Sequence, residues 1–478
     1  MEPQKILVAG SWETSPTLHE VRSPFDGRVV RTTYLASPDQ VERAAAGSIA
    51  GFAAMRALGA WERSAILRTT ATAITARREE LAALLSAEAG KPLRDALAEI
   101  DRGALTFRLA GEEAERMFGE TIPLDLNAAG KDRLGITRRF PIGPVLGISP
   151  FNFPLNLAAH KVAPAIAAGC SIVLKPPSAD PLIMLKVAEI MVEAGLPNGA
   201  LSVIPTARAE ADRLIDDERF RLLSFTGSPA IGWKMKARAG TKRVLLELGG
   251  NAACIIDNSA QLDWAVKRTL VGSFAYAGQV CISVQRIFVH ASIADEFERR
   301  LVAGAAALKV GDPADVATDV GPLIDDGAAA RTSEWIAEAV AGGARLLAGG
   351  AALDPKSPRL FAPTILADVS RAARICSEEA FAPVVLLERF SDFNEALTAV
   401  NASRYGLQCG LFSNDLAHVR RAFDELEVGG VIVNDVPTYR IDNMPYGGVK
   451  ESGLGREGVR WAVEEMTELR LLVLADPQ

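Results

Sequence analysis

Hydrophobic positions along this chain follow two rhythms, and the change from one to the other divides it. Residues 1–36 alternate short apolar and polar pieces around the turn signal Ser23-Pro-Phe-Asp-Gly27. Pro38-Asp-Gln then opens a helical run, and Trp61 to Leu85 is rich in Ala, Leu, Glu and Arg at helical spacing. A further helix is expected over roughly Leu93 to Phe118. Arg108 shares a stripe there with Leu105 and Glu112, and its ordinary reading is a solvated surface arginine. Thr121–Leu126 and Arg133–Phe140 alternate with period two on either side of Asn127–Asp132, which predicts a hairpin interrupting the helices. A ribbon projecting from a globular body needs cover, so an oligomer contact is expected there.

From Pro144 the rhythm becomes strand, helix, strand, helix. Val145–Ser149, Ser171–Lys175, Leu201–Pro205 and Leu222–Thr226 are short β-rich runs, with helical runs over Pro154–Ala168, Pro181–Ala194 and Glu210–Asp216. That alternation predicts an α/β fold with a parallel sheet covered on both faces, and ligands at the carboxyl ends of its strands. Gly249 to about Leu426 repeats the theme, with helices near Leu262–Phe274, Ala294–Leu308 and Thr332–Ala341. Within it Cys281 follows the turn Ala277-Gly278-Gln279, and Ile282–Val289 predicts a strand leading away. Glu468–Leu474 predicts a final strand able to join the earlier hairpin.

At 478 residues the chain exceeds one ordinary core, so two or three domains are expected. Apolar residues at 49% and charged residues at 23% fit a globular protein. A net charge of −7 argues against nucleic acid as a partner, since phosphate binding needs a basic face. The five cysteines are scattered without a CxxC pair, which argues against a disulfide framework and for a reducing compartment. The four histidines have no metal-ligand spacing with cysteine, so no zinc site is expected. The first residues lack a signal-peptide pattern, and the most apolar run, Val162–Leu174, contains Pro164 and Gly169 and is too short to span a bilayer. A cytoplasmic location without a membrane partner is expected.

Several stretches invite chemistry. Cys281 combines access past Gly278 with a polar setting, which reactive thiols need, although most free cysteines behave as small core hydrophobes. Phe225-Thr-Gly-Ser-Pro-Ala-Ile-Gly232 ends a strand and starts a helix, with Ser228 as N-cap, Pro229 at the first helical position and Gly227 in the turn. Such a helix start can hold a pyrophosphate; it can also be an ordinary βα turn. In Ser149-Pro-Phe-Asn-Phe-Pro154, Asn152 can present an amide to a developing oxyanion or simply cap a helix. Phe153, Leu157 and His160 share a helix face that packs or lines a pocket. Glu247 meets a double glycine, a setting for a general base or for a solvated glutamate.

Together these pieces resemble the aldehyde dehydrogenase superfamily. The matches are PFNFP at 150–154, KPPS at 175–178, FTGS at 225–228, ELGG at 247–250, GQVC at 278–281, EEAFAPV at 378–384 and PYGGVKESGLGREG at 445–458. The seven motifs stand in family order, and the resemblance covers nearly the whole chain. The resemblance implies a Rossmann-like NAD(P)-binding domain (1–120 and 141–248), an α/β catalytic domain (249–430), a β-ribbon oligomerisation element (121–140 and 465–478), and a substrate-facing loop region (431–464) returning to the cofactor domain. It implies oxidation of an aldehyde to its acid by a homodimer or homotetramer. Cys281 is then the nucleophile that forms a thiohemiacetal and a thioester, with Asn152 and the Cys281 N–H holding the oxyanion and Glu247 activating the hydrolytic water.

By the same resemblance NAD or NADP rests on Ile148, Ser149, Phe151, Lys175, Ser178, Gly227, Ser228, Leu248, Gly249, Glu379 and Phe381. Strictly NAD-using relatives often carry glutamate where this chain has Ser178, so NADP is expected to be tolerated. Phe153, Leu157, His160, Arg108, Val280, Ile282, Arg440 and Tyr446 are implied to line the substrate tunnel. The run Val433–Gly448 resembles the branch acting on lactaldehyde, glyceraldehyde, phosphonoacetaldehyde or succinate semialdehyde. His160 and the two arginines favour a small polar or anionic aldehyde. Val280 stands where phosphate- and phosphonate-using members tend to carry arginine, which disfavours a phosphorylated substrate. Arg286 is read as structural. The alternatives are a phosphonoacetaldehyde or glyceraldehyde-3-phosphate dehydrogenase, a CoA-acylating dehydrogenase, and a non-catalytic binding protein on the same scaffold.

Overall fold

A computed structural model describes residues 2–475; residue 1 and positions 476–478 of the expected oligomerisation element lie outside the described residues. Five parallel strands form the centre of the first sheet, in the order Leu201–Val203, Ile172–Lys175, Val145–Ile148, Leu222–Thr226 and Arg243–Glu247. Ile6–Val8 and Ser11–Glu13 extend one edge antiparallel, and Gly453–Leu454 extends the other. Numbered along the chain the five strands run 3-2-1-4-5, so connections leave in opposite directions between Val145–Ile148 and Leu222–Thr226. A crevice opens at the carboxyl ends of strands at such a point. Both of these strands are buried along their whole length, which is why they read as unbroken rather than alternating apolar runs.

The helix after the first of them, Asn156–Ala168, is buried at every residue, including His160 and Lys161. It stops at Gly169, whose φ of +88° is left-handed and suits glycine. The helical stretch from Trp61 is two helices, Ala60–Ala76 and Arg78–Ala89, broken at Arg77. The next helix, Leu93–Ala114, ends four residues before Phe118, which is exposed.

A second sheet runs Arg345–Ala348, Thr364–Ala367, Val384–Phe390, Arg286–His290, Ala253–Ile256, Gln408–Phe412 and Gly430–Val433, parallel except for the first strand. The expected strand Ile282–Val289 begins only at Arg286. The residues before it form a turn, in which the N–H groups of Ser283 and Val284 donate to the carbonyls of Val280 and Gly272 instead of to a neighbouring strand. The Gln285 side chain then bonds the carbonyls of Ile375 and Glu378 and the N–H of Ala380. Arg286 is buried and donates to the carbonyls of Asn251 and Ala399, which ties this sheet to the start of its neighbour strand. Thr467–Ala475 pairs antiparallel with Arg133–Pro141, and that strand with Thr121–Pro123, making a three-stranded ribbon. Among the described residues no helix is long and apolar enough to cross a membrane, and all five cysteines are free.

Candidate active site

A cleft of about 1070 Å³ runs from the ends of the first sheet to the second. All eleven residues expected at the cofactor line it, and so do Asn152, Leu157, Glu247 and Cys281. Ser228 takes the N-cap position of the helix Pro229–Arg238 with Pro229 at its start. Its hydroxyl makes no capping bond, so hydroxyl and helix N-terminus both remain available to an anion. Ser149 Oγ is buried without a hydrogen-bond partner among the described residues. A Cβ at Gly249 would come within 2.1 Å of the Glu379 carboxylate, so the bare glycine backbone is what admits that side chain. The Gly250 N–H donates to Glu379 at 3.1 Å. Burial nevertheless raises the Glu379 carboxyl to about 7. Phe151 and Phe381 meet edge to face, 5.8 Å between ring centres, over the cleft. A cleft of this size with an open helix start, an unpartnered hydroxyl and a recessed carboxylate fits a dinucleotide.

At the inner end Cys281 stands after a left-handed turn. Tyr276, Ala277 and Gly278 have φ of 48°, 54° and 69°, and a Cβ at Gly278 would lie 2.2 Å from the Ala382 carbonyl. Only glycine permits that approach. Cys281 Sγ lies 3.0 Å from the Tyr446 hydroxyl, in a cluster with Val280 and Ile282. Burial pushes the thiol up to about 12, although the bond with Tyr446 and the charge of Arg440 pull the other way. Asn152 donates one amide hydrogen to the Gln279 carbonyl at 3.0 Å, which places the amide against the segment carrying Cys281. Glu247 ends its strand as a buried carboxyl, its Oε2 unpartnered among the described residues. Burial, and then the nearby charge of Glu457, hold its pKa well above the usual carboxylate range.

Behind these groups lies a polar layer in which His160 and Arg440, both expected at the substrate, meet Lys161, Glu457, Arg102 and Asp442, to which motif reading assigned no role. Glu457 is bonded by Lys161 at 3.0 Å and by Arg440 at 3.1 Å. Those two cations outweigh burial and hold the Glu457 carboxyl down at about 2. The Arg440 guanidinium stacks 3.6 Å from the Tyr446 ring centre. Asp442 is buried and accepts from Arg102 at 2.8 Å, His160 at 2.9 Å and Asn156 at 3.1 Å. Burial alone would raise its pKa, but the His160 bond and the Arg102 charge hold it far below normal. His160 is kept neutral chiefly by its own burial.

Arg108 is a correction. Its side chain is 53% exposed and pairs with Glu112 on the outer face of its helix, away from Cys281. Six residues earlier, about two-thirds of a turn around, Arg102 faces Asp442 and lies 5.9 Å from the Phe153 ring. The stripe that the helix buries runs from Thr106 through Glu99, Gly103 and Phe107 to Gly111 and Ala104; Arg102 flanks the edge that faces Asp442, and Arg108 flanks the opposite edge. Lys161 carried a faint signal, as a lysine in the middle of a strongly apolar helix. Nothing local marked Asp442.

The sequence matches the profile described as the aldehyde dehydrogenase family over residues 12–472. It is 42% identical over 470 residues to 3-sulfolactaldehyde dehydrogenase of Priestia megaterium, covering 98% of this chain and 97% of the relative. The fold matches aldehyde dehydrogenase 21 of Physcomitrella patens, solved with the reaction product succinate, at a TM-score of 0.96 and 44% identity over 99% of each chain. It also matches the glyceraldehyde-3-phosphate dehydrogenase GapN of Methanocaldococcus jannaschii, solved with NADP, at 0.91 and 40% identity, over 96% of this chain and 99% of that one. With the motifs, fold and cleft in agreement, the chain belongs to the aldehyde dehydrogenase family, as an NAD(P)-dependent enzyme that oxidises an aldehyde to its carboxylic acid.

Proposed function

We propose that the substrate is a small aldehyde with a polar or anionic group and that Cys281, Asn152 and Glu247 carry out its oxidation. The observation that carries the substrate reading is the Arg440–Glu457–Lys161 group. Two cationic side chains share the Glu457 carboxylate beside Tyr446 and Cys281. Of the other carboxyls that act on Arg440, Asp442 is matched by Arg102 and Glu247 has its pKa raised, so positive charge is in excess there while Glu247 is protonated. A desolvated excess charge of that sign favours an anionic or strongly polar substrate. Relatives named for sulfolactaldehyde and lactaldehyde, and a neighbour holding succinate, agree with that reading. Val280 places no cation before the nucleophile, so carboxylated or hydroxylated aldehydes are favoured over phosphorylated ones.

In this reading the Cys281 thiol first loses its proton to water in the cleft. The thiolate sulfur then adds to the carbonyl carbon, and the oxygen takes the charge, facing the second Asn152 amide hydrogen and the Cys281 N–H. The nicotinamide, when bound, supplies the acceptor for the hydride that leaves this carbon. Glu247 then takes a proton from water, whose oxygen attacks the Cys281 thioester and releases the acid and the thiol. Lys175, Ser178, Ser228 and Glu379 hold the dinucleotide, with Ser149 offering a further hydroxyl. Arg208 lines the same cleft as Ser178 and is exposed. An arginine there with no acidic side chain at position 178 suits a 2′-phosphate, so NADP is used, with NAD also accepted.

A steady-state panel tests both readings at once. Lactaldehyde or succinate semialdehyde should exceed propanal in kcat/KM by on the order of tenfold or more, the scale of one charge-assisted contact. Both should proceed with NADP. Equal rates for propanal, a large advantage for glyceraldehyde 3-phosphate, or no turnover with NADP would contradict the respective reading.

The ribbon supports a homo-oligomer. Leu469, Leu471, Leu472, Val473 and Leu474 are each more than 40% exposed along its edge strand Thr467–Ala475. An apolar edge strand left open is a liability that a partner's strand or surface removes. Light scattering on the purified protein should give at least the dimer mass; a monomer at micromolar concentration would contradict it.

A further inference from the structure

Lys91 touches none of the reacting groups, yet it lies beneath both segments that carry them. Its buried ammonium bonds the Glu99 carboxylate and donates to the Asn152 carbonyl at 2.7 Å. It also lies 3.7 Å from the centre of the Phe153 ring and 4.5 Å from that of Tyr276. Glu99, buried as well, uses its other oxygen to accept from the N–H groups of Leu155 and Asn156 at 3.0 and 3.1 Å. Those donors belong to the start of the helix Asn156–Ala168, where no intrahelical acceptor exists. Tyr276, first residue of the left-handed turn leading to Cys281, donates its hydroxyl to the Ala89 carbonyl at 2.8 Å, two residues from Lys91.

One ion pair therefore grips the turn that presents Asn152 and abuts the turn that presents Cys281. Stability does not explain it, because burying two charges costs as much as or more than their attraction returns. What the pair supplies is geometry: both charged ends are spent on the backbone of a single turn. We infer that Lys91 and Glu99 are positioning residues, holding the Asn152 amide at the place where the substrate oxygen becomes negative. The inference rests on the oxyanion role proposed above for Asn152.

A double-mutant cycle tests it, with Lys91→Met made in the parent and in Asn152→Ala. Lys91→Met alone should lower kcat by on the order of tenfold to a hundredfold, the cost of a small misplacement at the reacting centre. Cofactor Kd, read by nucleotide fluorescence, should stay within about twofold, and in Asn152→Ala the second change should lower kcat no further. An equal loss in both backgrounds, or an unchanged kcat in Lys91→Met, overturns the inference and leaves the oxyanion reading intact. Full kcat in Asn152→Ala overturns that reading itself and removes the route through Asn152. Glu99→Gln keeps the side chain's shape and an acceptor for Leu155 and Asn156 while removing the charge facing Lys91. The same cycle run with it, under the same criteria, decides the matter where Lys91→Met does not fold.

Discussion

Cys281→Ala should lower kcat for aldehyde oxidation by on the order of 10⁴-fold or more, the scale of deleting a nucleophile that works as part of a unit. Cofactor binding and thermal unfolding should stay close to the parent's, since the change removes one sulfur from a side chain that opens onto the cleft. No other thiol can take its place. Cys170, Cys254 and Cys409 are fully buried elsewhere, where burial raises their pKa values, and Cys376 lies outside the cleft. With the Cys281 thiol itself raised to about 12, the resting sulfur is protonated at neutral pH. Its alkylation by iodoacetamide should therefore quicken as pH rises from 7 to 10, because the thiolate is the nucleophile. Substantial oxidation by Cys281→Ala would refute the assignment, and a pH-independent alkylation rate would refute the account of the resting thiol.

Glu247→Gln should separate the two halves of the reaction. The first turnover should still release about one equivalent of reduced cofactor per active site, while steady-state turnover falls by on the order of 10³-fold, within the range of general-base deletions. The pH profile follows from the raised pKa of this carboxyl. The base form is the carboxylate, so its fraction grows with pH and is lost as pH falls through that raised value. Parental kcat should accordingly decline as pH falls through that raised value, at higher pH than an ordinary carboxylate would give, and Glu247→Gln should flatten that limb. Loss of the burst would place Glu247 in the first half-reaction, and an unchanged acid limb would remove it from the role of base.

The parts of this protein that depend on neighbouring residues were legible in its sequence. Strand-turn-helix signals around Ser149 and Ser228 placed the cleft, since a helix start shortly after a buried strand is specified within about ten residues. Leu262–Phe274 is a helix with the expected bounds, and the last strand pairs with the hairpin through nine consecutive partners. Cys281, Asn152 and Glu247 each sit on a motif that could be read as it stood. The pairings within the polar layer behind them, of which only His160 and Arg440 were singled out, could not be read that way. Asp442 meets Arg102 across 340 positions, and Lys161 meets Glu457 across 296. Such pairs arise from which helix docks beneath which loop, and periodicity within one helix cannot choose a partner on another. The same limit misplaced Arg108: its helical stripe was visible, but which side of the helix faces the tunnel is set by packing against Asn156–Ala168. Local chemistry along the chain therefore marked the proposed reaction site. Only the tertiary structure decided which charges surround it, because each buried charge must find its counter-charge through space.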